Sequence, residues 1–93
     1  MAEEKRSFEG VSAAVWERMR AVGVRDHGTV FENGEEPRGT ATTRTPVGPV
    51  VLRFEFDADA ERITYTILRK PLFAASGLIW GGIGATLARC RDA

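Results

Sequence analysis

Hydrophobic and polar positions change period twice along the chain, dividing it into helix, sheet and helix. Phe8, Val11, Val15, Met19 and Val22 fall on one helical face, with Glu9, Glu17, Arg18 and Arg20 mostly elsewhere. Ser7 offers an N-cap oxygen, Gly23 follows the last periodic residue as a left-handed stop, and Val24 supplies an apolar contact beyond it. The spacing predicts an amphipathic helix over residues 7–22, preceded by a flexible charged lead, residues 1–6. Trp16 lies at the edge of the apolar stripe, where packing against the sheet or the second helix is its expected use.

From Arg25 the period drops to two. Residues 27–32, 38–45, 50–57 and 62–69 are rich in Val, Thr, Phe, Tyr and Ile, and the stretches NGEEP, PVGP and ADAE separate them. Four strands with short loops form an antiparallel meander. Burying the apolar sets of the last two together requires Phe54 to face Tyr65 and Phe56 to face Ile63, with Asp57 opposite Arg62 outside. Pro46-Val47-Gly48-Pro49 suits a type II turn, which sets Thr45 against Val50, Ala41 against Phe54 and Arg38 against Asp57. In the first hairpin, Phe31 opposite Gly39 places Glu32 against Arg38 and His27 against Thr43. The inner face then has a bulky half on the last two strands and a small, polar half of His27, Thr29, Ala41 and Thr43. Either a helix fills that half closely or it remains a pocket.

The third segment, residues 71–91, carries no charge between Lys70 and Arg89. Leu72, Ile79, Ile83, Leu87 and Cys90 share one helical side with Trp80 beside them, and Ala74, Gly77, Gly81, Ala85 and Ala88 form a narrow small-residue side. Each interior glycine costs a helix about 0.5 to 1 kcal/mol relative to alanine. A break at Gly81-Gly82 is the alternative to the single, bent helix favoured here. As a membrane anchor, the uncharged stretch would span only about 25 Å, short of the roughly 30 Å hydrocarbon core.

The fold expected is α+β: an N-terminal helix, a four-stranded antiparallel meander and a C-terminal helix, both helices on one face of the sheet, in one domain of residues 7–93. A sheet holding a long C-terminal helix resembles helix-grip folds in outline, at a much shorter length, and no family is assigned. Composition agrees with one globular domain: 93 residues, 43% hydrophobic and 28% charged. A core of this size is thin. Thirteen Lys and Arg against 13 Asp and Glu give a formal charge of +0, which argues against nucleic acid as a partner. A single cysteine, Cys90, excludes an intrachain disulfide and suits the cytoplasm, and MAEEKRSFEG lacks the apolar core of a secretory signal.

No residue pattern names a reaction. Gly77, Gly81, Gly82 and Gly84 have the wrong spacing for a dinucleotide loop and fall inside the predicted helix. His27 is the only histidine; strand neighbours point to opposite faces, so Asp26 is poorly placed to orient its ring, and a structural role is the default. One histidine and one cysteine do not make a zinc site, and Cys90 reads as a packing residue. Tyr65 reads as core against Phe54, its hydroxyl directed toward a threonine or His27. No cofactor, metal or catalytic group is therefore expected. The expected function is a non-enzymatic small binding or protein-interaction domain that can self-associate through Gly77, Gly81 and Ala85. The alternative is a small-ligand pocket between the C-terminal helix and the first two strands, using His27, Thr29, Thr43, Tyr65 and Trp80. A further alternative is a C-terminal membrane anchor.

Overall fold

Five strands form the antiparallel sheet in the computed structural model, which describes residues 4–71 and 75–91. The elements are β1 (Glu4–Glu9), α1 (Ala13–His27), β2 (Val30–Glu32), β3 (Arg38–Thr45), β4 (Gly48–Asp57), β5 (Arg62–Arg69) and α2 (Ser76–Arg91). In space the strands run β1-β5-β4-β3-β2. The α+β class stands, and the four-strand count is corrected. β1 occupies part of the expected flexible lead and the expected first helical turn, pairing Phe8 with Ile63 and Glu4 with Ile67. With one apolar residue in six, β1 shows no strand period of its own; the edge of β5 gives it a place.

Helix α1 is displaced toward the C-terminus by the same change. Ser12, not Ser7, is the N-cap, its Oγ accepting the Val15 N–H at 3.2 Å. Gly28, not Gly23, closes the helix at φ 63, with its N–H donating to the Gly23 carbonyl. His27 is therefore the last helical residue rather than a strand residue, and its expected pairing with Thr43 does not occur.

Between β4 and β5 the register is the expected one: Phe54 faces Tyr65, Phe56 faces Ile63 and Asp57 faces Arg62. The other two hairpins are each shifted by two residues. Thr45 pairs with Gly48, Ala41 with Leu52 and Arg38 with Glu55. Only Pro46 and Val47 form that loop, because Gly48 at φ 132 opens β4, its carbonyl oxygen accepting a hydrogen bond from the Thr45 hydroxyl at 2.6 Å. Likewise Phe31 pairs with Ala41 and Glu32 with Thr40. A slip of two keeps every side chain on its face, so the same residues point inward with different partners.

The core gathers around Trp16, which is central rather than peripheral and only 4% exposed. Its ring lies 5.1 Å from Phe54, 6.0 Å from Phe56, 6.1 Å from Phe31 and 6.3 Å from Tyr65, centroid to centroid. Leu87 and Cys90 of α2 join the same cluster, with Ile79 and Ile83 packed against it. Arg18 Nη1 donates to the Cys90 carbonyl at 2.9 Å, tying α1 to the end of α2. Helix α2 runs unbroken through Gly81-Gly82, starting at Ser76 rather than Pro71. The placements expected for Leu72 and Ala74 lie outside the described residues. Among the described residues, no helix is long and apolar enough to cross a membrane.

Candidate ligand-binding site

The small half of the inner sheet face is not filled. Thr29, Ala41 and Thr43 line a cavity of about 510 Å³, which Tyr65 borders from β5 and Val50 and Leu52 border from β4. Small side chains on β3 leave this space because the bulky residues of the sheet, Phe54 and Phe56, stand further along β4 beneath Trp16. Met19, Gly23 and His27 contribute a wall from α1. Helix α2 contributes Ile79, Ile83 and Thr86 at helical spacing. Its exposed residues Leu78, Gly82, Ala85 and Arg89, with exposed His27, mark the mouth.

Polar groups inside are few. The hydroxyls of Thr29 and Thr43 hydrogen-bond each other at 2.7 Å. Tyr65 is buried, and burial pushes its phenol well above the usual tyrosine value, so the hydroxyl keeps its proton and stays a donor. Asp26, outside the lining, engages Arg89 of the mouth and Arg25: Oδ1 accepts from Arg25 Nε at 2.9 Å and Oδ2 lies 3.6 Å from Arg89 Nη2. The hydrogen bond from Arg25 holds the Asp26 carboxyl below its ordinary range. Asp26 is thus engaged with arginine rather than His27. The described lining combines apolar walls with a threonine pair, a protonated phenol and the Arg89 guanidinium, and among the described residues no nucleophile there has a base beside it. Among the described residues, no cluster of three or more His, Cys, Asp or Glu is placed to hold a metal ion.

Four of the five proposed ligand residues, His27, Thr29, Thr43 and Tyr65, line this one cavity. Trp80 does not; its ring sits 6.4 Å from Phe8 of β1, a strand absent from the expected fold. Of the proposed interaction face, Gly77 and Gly81 are exposed with nothing within 4 Å of an added Cβ, and Ala85 is exposed at the mouth. Met19, Gly82, Thr86 and Arg89 were missed as lining residues. The spacing of Ile79, Ile83, Thr86 and Arg89 carried the signal, since these positions follow one face of a helix. Comparison of the chain with protein-family models, curated proteins and solved structures found no match.

Proposed function

We propose that this chain is a non-enzymatic binding domain whose pocket, lined from both helices and from strands β2–β5, takes a small, largely apolar ligand. The observation that carries this reading is the cavity of about 510 Å³, within the size range of small-molecule sites, whose walls of Met19, Val50, Leu52, Ile79 and Ile83 surround a few polar groups. The reading takes both helices to lie over the same sheet face, supported by their shared cluster with Phe54 and Tyr65. It places the protein in the cytoplasm, supported by the single, buried, free Cys90.

A neutral apolar fluorophore, N-phenyl-1-naphthylamine, tests the pocket. Saturable 1:1 enhancement is expected, and Ala41→Phe from the sheet side or Gly82→Phe from the helix side should abolish it without unfolding the chain. Enhancement that never saturates, or that survives both filled variants, would sink the reading.

A second reading, association of two copies through α2, is favoured by one observation. Leu78 is 76% exposed beside Gly77 and Gly81, which leave an open, small-residue surface. Sedimentation as a strict monomer at high concentration would remove it.

A further inference from the structure

Charge around the cavity is one-sided, and we infer from it the class of ligand: an apolar monocarboxylate, its acid group at the mouth beside Arg89 and His27 and its apolar body inside. The inference rests on the pocket reading above. Among the described residues lining the cavity, His27 and Arg89 are the basic ones and none is a carboxylate. They reach the mouth from two elements, the last residue of α1 and the last turn of α2. Asp26 is not among the lining residues, and its carboxylate is shared between Arg89 and Arg25, which also lies outside the lining. Its contact with Arg89 is through Nη2 at 3.6 Å, and a guanidinium has five N–H donors, which leaves donors for a second carboxylate.

The orientation follows from desolvation. A carboxylate driven to the floor would exchange its water for at most the Thr29, Thr43 and Tyr65 hydroxyls, two of which already bond each other. At the rim it stays hydrated and gains a guanidinium, while Met19, Leu52 and Ile83 cover the apolar body. The C-terminal carbonyls of both helices oppose an anion near this end. A charge-assisted hydrogen bond to Arg89 outweighs that opposition, but the Arg89 side chain is 62% exposed, so the net preference is modest.

Displacement of N-phenyl-1-naphthylamine from the full chain by decanoate and by decan-1-ol separates the acid group from the apolar body. At pH 8 decanoate should displace the fluorophore about three- to ten-fold more effectively than the alcohol. Arg89→Met should erase this difference, Arg89→Lys should keep part of it, and Asp26→Asn, which releases Arg89, should enlarge it. The alcohol should bind all four proteins alike. Equal displacement in the wild type, or an acid preference that survives Arg89→Met, overturns the assignment while leaving the pocket standing. Failure of the alcohol to displace the fluorophore at all overturns the pocket reading itself. Should Arg89→Met not fold, Asp26→Asn carries the test, because its predicted change has the opposite sign.

Discussion

Tyr65 is the sole tyrosine of the chain, and it borders both the ring cluster and the cavity. Burial raises its folded-state ionisation above the unfolded value of about 10. The stabilising contribution of the neutral phenol is therefore complete below pH of about 10 and is lost as pH rises above it, where the unfolded chain ionises first. Relative to Tyr65→Phe, the wild type should lose up to about 1.4 kcal/mol of stability per pH unit above 10. Chemical denaturation of the two proteins at a series of alkaline pH values measures this, and parallel curves would contradict the buried phenol. Gly39 makes a different demand. A Cβ there would overlap the Glu32 carbonyl oxygen and approach Phe54 Cζ to 2.7 Å, so the close approach of β2 to β3 depends on its having no side chain.

Helix α2 holds glycines whose cost nothing in its described surroundings offsets. Gly77 and Gly81 have helical backbone, with open space where a Cβ would go. Gly81→Ala should raise the stability of a monomeric chain by about 0.5 to 1 kcal/mol, read as a higher melting temperature. A fall instead would mean that the bare backbone is in use, as close approach of a second copy requires. Other elements differ in how far the sequence revealed them. The β4–β5 register was legible because both strands alternate strictly and only one pairing buries Phe54, Phe56, Ile63 and Tyr65 together. The β3–β4 partners were not, because PVGP permits loops of two or four residues; parity alone was fixed, and parity sufficed to place Ala41 and Thr43 inside. β1 was hidden for a non-local reason: Phe8 fits a helical stripe with Val11 and Val15, and only the free edge of β5 makes it a strand residue. Trp80 fits the pocket only in a fold without β1; with β1 in place its ring lies 6.4 Å from that of Phe8. His27 reached the cavity despite its wrong element, since the end of α1 and the start of the expected strand occupy the same corner.

At the scale of the whole molecule, a thin core and an open cavity belong to one balance. Domains are held by about 0.05 to 0.15 kcal/mol per residue, which for this chain is on the order of 5 to 14 kcal/mol. The cavity lining forfeits packing that a filled core would gain, because apolar walls facing empty space lack contacts on one side. A ligand that occupies the cavity only in the folded state adds its binding free energy to folding. At one hundred times its dissociation constant that is about 2.7 kcal/mol. In a domain near this size, each 1 kcal/mol moves the melting temperature by about 4 to 8 °C, so decanoate at that excess should raise it by about 10 to 20 °C. Gly82→Phe, which occupies the mouth from α2, should show a shift close to zero in the same titration. Ligand-induced stabilisation that is equal in both proteins would mean that the molecule binds elsewhere, and the cavity would then be a packing defect rather than a site.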